Sequence, residues 1–468
     1  MNIKITFLGA AECVTGSQYL VEVDWMKILV DCGIYQERDH LNRNWADFYI
    51  QPENIDVVLL THAHLDHCGL LPKLVREGFQ GPIYCTSATA EITEIILLDS
   101  AKLQEEDVAY KKRRHEREGR KGTYPEVPLY TIKDAEAAVP HLAHVDYEEP
   151  VQLDHGIEAT FYDAGHVLGS SIVKLEINRD NEKRTLLFSG DLGRCDKPIL
   201  NDPTMISEAD YVIVESTYGD RLLNSPEDGV DKLADVVNST MEAGGNIVIP
   251  SFALERAQEL LYYLNEFLLE KRIPAIRIFI DSPMAINVTE VFKHHPELFD
   301  EEMNQLLIEG NSPFDFRGLS LTRTTNESKA INHIKEPIII IAGSGMCTGG
   351  RIKHHLISNI TRPESTILIV GYQARGTLGR HIVEGDKEVR ILGHYYQVKA
   401  RIARINGFSA HSDRDQLYRW LSGLKKPPRR IFVTHGEVEA SRKFAEYVNE
   451  KTGWNVTVPR YKEEVLLD

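Results

Sequence analysis

An apolar run, Val57-Val58-Leu59-Leu60, passes without a spacer into Thr61-His62-Ala63-His64-Leu65-Asp66-His67. Nothing else in the chain restricts its fold so tightly. The apolar run predicts a buried strand, and Cys68-Gly-Leu-Leu-Pro-Lys-Leu-Val75 has the apolar spacing of a short helix. Four metal-type side chains, His62, His64, Asp66 and His67, therefore crowd one strand-to-helix loop, whose curvature can turn them inward together. His62 and His64, two apart, can take one ion from the same side, while Asp66 and His67 face a second. Imidazole and carboxylate are zinc donors, and hydrolytic zinc sites keep one position open for water. An ordinary surface or core role suits a lone histidine better than this cluster. The stretch predicts a metal site.

At 468 residues the chain exceeds the usual size of one domain, so two are expected. Its six cysteines, at positions 13, 32, 68, 85, 195 and 347, form no CxxC pair and suit a reducing cytoplasm better than a disulfide framework. Cys68, beside His67, is expected to be a buried neutral thiol. The amino terminus, Met1-Asn-Ile-Lys-Ile-Thr-Phe-Leu-Gly9, reads as a strand and a turn, not a signal peptide. No apolar run is long enough to span a bilayer, so a cytoplasmic location without membrane contact is expected. A net charge of −17 argues against non-specific coating of nucleic acid, yet leaves room for a nuclease whose bound cations invert the local field.

Residues 1–35 alternate strand-like runs with glycine turns, and the pattern turns helical and charged from about Ala90. Lys111 to Lys121 is the only dense basic run; it suits a solvated helix end or a polyanion contact. Strands resume from Val151 through Asp191 and Tyr211–Glu215. Four apolar strands then precede polar, often glycine-rich loops: 246–250, 276–280, 337–341 and 366–370. Such strand–loop–helix units imply a parallel sheet with its loops gathered at the carboxyl edge. Those loops hold Ser251, Arg256, Ser344, Gly345, Gly349, Gly350, Arg351 and Arg375, as phosphate-binding candidates or plain helix-capping turns. They give neither a Walker A sequence nor a dinucleotide fingerprint. After Val398 the earlier style returns, with strand-like runs leading to His411 and His435. The second domain thus reads as an insertion: 1–216 and 401–468 form the first domain, and 217–400 the inserted one.

The His62-x-His64-x-Asp66-His67 stretch resembles the signature of the metallo-β-lactamase superfamily. Leu29-Val-Asp31-Cys-Gly, Asp163-Ala-Gly-His166 and Phe188-Ser-Gly-Asp191 match its other motifs in order and context. The insertion, with Glu215-Ser-Thr, Phe408-Ser-Ala-His411-Ser-Asp and Thr434-His435-Gly-Glu, resembles the β-CASP branch, nucleases acting on RNA or DNA. In style the chain is similar to the endonuclease subunit of the pre-mRNA 3′-end cleavage machinery and its prokaryotic relatives. The implied fold is an α/β one: an αββα metallo-β-lactamase sandwich carrying a β-CASP domain on a mostly parallel sheet. Histidine at the last motif marks the RNA-processing members.

By that resemblance one zinc takes His62, His64 and His166, the other takes Asp66, His67 and His435, and Asp191 bridges. Asp66 and Asp31 join His411 and Glu215 as catalytic candidates: Asp31 to orient a ligand, His411 to protonate the leaving 3′ oxygen, Glu215 to hold the His411 tautomer. The expected activity is mainly endonucleolytic hydrolysis of single-stranded RNA by a hydroxide shared between two zinc ions. Products would carry a 5′ phosphate and a 3′ hydroxyl, with 5′-exonuclease activity as a companion. A homodimer or an RNA-processing complex is compatible with this. Two alternatives are a small thioester, lactone or β-lactam hydrolase, which leaves the insertion, Glu215 and His411 without a task, and a zinc-stabilised scaffold subunit.

Overall fold

The computed structural model describes residues 2–119, 126–179, 181–223, 226–371, 373–374, 376–405 and 408–468. The chain divides into two compact units. One comprises Met1–Cys195, Asp202–Leu222 and His411–Asp468, the other Asp196–Asn201 and Leu223–Ala410.

The first unit holds two seven-stranded sheets. In one the strand order is Glu464–Leu467, Ile3–Phe7, Tyr19–Val23, Met26–Val30, Val57–Leu59, Ile83–Thr86 and Leu142–Val145. In the other it is Val456–Thr457, Arg430–Val433, Tyr211–Val214, Glu182–Phe188, Ser171–Arg179, Ile157–Asp163 and Val151–Asp154. The inner faces meet in one core containing Ile5, Val21, Ile28, Leu59, Phe161, Leu175, Phe188, Ile213 and Phe432. Alternation decides which side chain goes where. Leu186, Phe188, Tyr211, Ile213 and Phe432 point inward. Their neighbours Leu187, Val212, Val214, Ile431 and Val433 join a second core beneath Arg414–Leu421 and Val438–Thr452, through Leu417, Leu421, Phe444 and Val448. Helix Ser87–Glu118 packs on the other sheet, near Ile83–Thr86 and Leu142–Val145. The result is an α-β-β-α sandwich.

The helix expected over Cys68–Val75 starts later, as Leu71–Arg76, because Pro72 suits a helix's first turn and not its interior, and a further short helix, Leu65–Cys68, forms within the metal loop itself. Among the described residues no cysteine is in a disulfide, and Cys68 is buried with its sulfur donating to the Ala63 carbonyl. Burial pushes that thiol well above the usual range, so it stays neutral.

The second unit carries a six-stranded, wholly parallel sheet in the order Leu319–Leu321, Arg277–Ile280, Ile338–Ala342, Ile247–Pro250, Thr366–Ile369 and Arg401–Arg404. Every strand's carboxyl end therefore lies on one edge, where Ser251, Asp281, Gly343 and Gly371 begin the loops. Arg401–Arg404 was expected to return to the first domain; instead it pairs with Thr366–Ile369. The division accordingly falls at 222/223 and 410/411 rather than 216/217 and 400/401, with 196–201 also in the second unit. Among the described residues no helix is long and apolar enough to cross a membrane.

Phe432, fully buried between the sheets against Phe7 at 5.0 Å between ring centroids, tests the sandwich core. Phe432→Ala is expected to cost about 3–5 kcal/mol, read as a lowered midpoint in urea unfolding.

Candidate metal centre

The strand Val57–Leu59 ends where the loop Thr61–His67 begins, so its donors stand at the sheet's carboxyl edge. His64 is extended (φ −64°, ψ 145°) and caps helix Leu65–Cys68, which turns Asp66 and His67 back toward the histidines before them. His166 arrives on the turn after Ile157–Asp163, and Asp191 on the turn after Glu182–Phe188.

These donors converge as two sets. His64 Nδ1 lies 3.0 Å from His62 Nε2 and 3.3 Å from His166 Nε2, while Asp191 Oδ2 lies 3.5 Å from both of the latter. In the other set His67 Nε2 and His435 Nε2 are 3.0 Å apart. His435 Nε2 is 3.5 Å from Asp66 Oδ2 and from Asp191 Oδ1, and His67 Nε2 is 3.3 Å from Asp191 Oδ1. Zinc bonds of about 2.0–2.1 Å imply tetrahedral donor–donor edges of about 3.3 Å, which both sets approach. Asp191 offers one oxygen to each set. Its Oδ1 is buried without a hydrogen-bond partner, a costly state unless a cation answers it. The residues fit a pair of bound cations.

Neighbouring groups aim these donors. Asp31 Oδ2 accepts from His67 Nδ1 at 2.7 Å and from the Thr61 hydroxyl at 3.0 Å, and its Oδ1 accepts from the Thr61 amide at 2.8 Å. With Nδ1 carrying the proton, the His67 Nε2 lone pair faces the site. Thr217 does the same for His435: its hydroxyl meets Nδ1 at 3.1 Å and donates to the His435 carbonyl at 3.1 Å. Glycine permits the loops to touch. A Cβ on Gly33 would sit 1.7 Å from the Asp66 carbonyl oxygen, and one on Gly193 1.8 Å from the Gly165 oxygen, next to His166. Burial, the largest influence, drives His62 and His166 well below the usual histidine range and His64 down to about 4, keeping the rings in the neutral form that metal ligation would require. Burial would raise the Asp191 carboxyl, but His435 and His67 hold it well below the usual carboxylate range.

His411 stands beside both sets. Residues 411–412 are pinned, with Gly193 and His411 bridged and the Ser412 amide donating to the Leu192 carbonyl at 2.8 Å. His411 Nδ1 lies 3.2 Å from each Glu215 oxygen and 3.9 Å from Asp191 Oδ2, and its ring centroid is 4.5 Å from that of His166. Glu215 is buried and accepts from the Leu192 amide at 2.7 Å and the Thr217 amide at 3.3 Å. Its oxygens are thereby committed to His411 and these amides. Burial would lower the His411 pKa; the Glu215 and Asp191 carboxylates reverse this and lift it to about 9.

Residues 20–210 match a metallo-β-lactamase superfamily domain, residues 257–382 a Beta-Casp domain, and residues 395–459 a Zn-dependent metallo-hydrolase RNA specificity domain. A Thermus thermophilus protein named as a ribonuclease is 38% identical over 99% of this chain and 100% of its own length. The chain belongs to the β-CASP branch of the metallo-β-lactamase superfamily. Transcription termination factor FttA of Methanocaldococcus jannaschii is 34% identical over 95% of the chain and 69% of its own length. That of Methanosarcina mazei is 32% identical over 96% and 69%. A crystal structure of a protein of unknown function from Enterococcus faecalis V583 covers 100% of both chains at a TM-score of 0.55 and 11% identity, a likeness of fold alone.

In this β-CASP protein the strand-edge candidates lie in the second unit and mostly have structural partners there. Arg351 Nη1 meets Asp281 Oδ1 at 2.6 Å and the Thr322 carbonyl at 2.9 Å, while its Nη2 donates to the Arg323 carbonyl at 2.7 Å. Arg256 is buried and paired with Glu259. The Ser251 hydroxyl donates to the Phe252 carbonyl at 2.9 Å. Ser344 Oγ accepts from the Thr348 and Gly349 amides at 3.0 and 3.2 Å, closing the turn that holds Gly345, Gly349 and Gly350. Arg375 lies outside the described residues. Two positioning residues, Thr61 and Thr217, were not singled out in the sequence, although each stands inside a quoted motif.

Asp31→Asn should leave the fold intact and weaken metal retention about 10–100-fold, read as zinc remaining after competition with a chelator.

Proposed function

We propose that this β-CASP protein is a zinc-dependent ribonuclease that cuts single-stranded RNA mainly at internal bonds, leaving 5′-phosphate and 3′-hydroxyl ends. The observation that carries the reading is the pair of donor sets sharing Asp191, with the His411–Glu215 couple alongside. Relatives named as a ribonuclease and as transcription termination factors support RNA as the substrate. One zinc would be held by His62, His64, His166 and Asp191, the other by Asp66, His67, His435 and Asp191. When bound, the pair supplies charge neutralisation for the phosphate and a water acidic enough to attack at neutral pH.

The chain's own groups do the rest. Asp31 and Thr217 fix the ring orientations of His67 and His435. Glu215, itself anchored by two amides, takes the Nδ1 proton of His411 as a hydrogen bond. The opposite nitrogen, Nε2, is thereby left to carry the proton that the departing 3′ oxygen needs. No residue has to recruit the 2′ hydroxyl as nucleophile. A small-molecule hydrolase would use the same donors but gives the His411–Glu215 couple no task, and a scaffold role leaves the whole set idle.

A circular RNA has no ends and separates the modes of attack. Wild-type protein is expected to open it. If the circle survives while a linear RNA shortens from its 5′ end, the endonuclease assignment fails; if duplex DNA is cut far better, the RNA assignment fails. His411→Ala should keep its zinc and slow cleavage by about 10²–10⁴-fold, whereas His435→Ala should lose zinc.

A further inference from the structure

The basic run of the sequence has no part in this chemistry; its Arg120 and Lys121 lie outside the described residues, and the fold gives the rest a definite face. Helix Ser87–Glu118 is 32 residues long, about 48 Å at 1.5 Å per residue. Its first turn is tied to the loop that carries His166, because the Thr86 and Thr89 hydroxyls donate to the Gly169 carbonyl at 2.7 and 2.8 Å. Near the far end Tyr110, Arg113, Arg114 and Arg117 stand at positions i, i+3, i+4 and i+7, so they share one stripe. All four are exposed, Tyr110 to 61%. His115, off this stripe, is half-buried against Glu126 at 2.6 Å.

The stripe is an odd one for a merely solvated helix. Residues 110–118 carry five cationic side chains, Lys111, Lys112, Arg113, Arg114 and Arg117, against Glu116 and Glu118, in a chain whose net charge is −17. Lys111 and Arg114 are paired with Asp107 and Glu118. Among the described residues Lys112, Arg113 and Arg117 have no such ion pair. Arg113 and Arg117, four apart, repel one another, as do Arg114 and Arg117. An exposed aromatic ring flanked by guanidinium groups combines the two means by which proteins hold single-stranded nucleic acid, a stacking platform and phosphate neutralisation. Charges farther away than about 8 Å are screened at physiological salt, so the acidic remainder does not cancel the stripe.

We infer that the Tyr110–Arg117 face of this helix is an accessory contact for single-stranded RNA, binding the substrate away from the bond being cut. It rests on the ribonuclease reading. The stripe lies 24–31 residues along the helix from Thr86, about 35–45 Å from the His166 loop. A stacked strand advancing about 3.4 Å per nucleotide needs about 10–13 nucleotides to cover that span. Short substrates therefore cannot use the contact.

The test is steady-state cleavage of unstructured RNAs of about 6 and about 30 nucleotides, by the zinc-loaded full chain and its Arg113→Glu/Arg117→Glu and Tyr110→Ala variants. For the long RNA each variant should raise KM by about tenfold with kcat unchanged. The double variant should also reduce the salt slope of log KM by about 1–2. Tyr110→Phe, which keeps the ring, should behave as wild type. The short RNA should show no difference. Equal effects on both lengths, no effect on either, or displacement of long RNA by polyglutamate as well as by competing RNA would each overturn the proposal. A wild type that cuts neither length overturns the ribonuclease reading and the helix assignment with it. One that cuts both with equal KM overturns the helix assignment alone.

Discussion

The Asp191 carboxylate is the constraint on which the first unit depends. It is buried between two sets of imidazoles, one oxygen turned to each, and Oδ1 has no hydrogen-bond partner. A carboxylate in that position is costly unless positive charge answers it from both sides. Segments around positions 31, 62–67, 166, 191 and 435 must therefore arrive together. The fold delivers them by placing each after a strand, so that side chains hundreds of residues apart emerge at the edges of two sheets packed on one core. Gly33 and Gly193 let the loops close to backbone contact, where any Cβ would collide.

Rigidity around the donors is as important as the donors themselves. Asp31 and Thr217 each hold one ring nitrogen so that the other faces inward. Glu215 is fixed by amides before it meets His411, and His411 is bridged to Gly193. His411 with Glu215 and the metal-type groups thus hang on one framework, joined at Thr217, whose amide donates to Glu215 and whose hydroxyl meets His435. In the second unit the polar loops serve a different purpose. Asp281, fully buried, gathers Arg351, His355 and Ser328, tying three loops and helices of the parallel sheet together.

Much of this was legible before any coordinates. The spacing of His62, His64, Asp66 and His67 is local, and a strand running into a loop leaves few ways to arrange four donors, so a metal site followed from the residues alone. The alternating apolar strands likewise announced sheets, and four strand–loop–helix units a parallel one. His166, Asp191, His411, Glu215 and His435 came only through motif resemblance, since nothing in their own spacing relates them to position 62. What tertiary structure alone decided were matters of non-local partnership. Arg351 is engaged by Asp281, which follows a different strand of the second sheet, and Arg401–Arg404 joins that sheet and not the first. A guanidinium's partner and a strand's register depend on what lies beside them in space. Sequence order carries that information only within a turn or two of the chain.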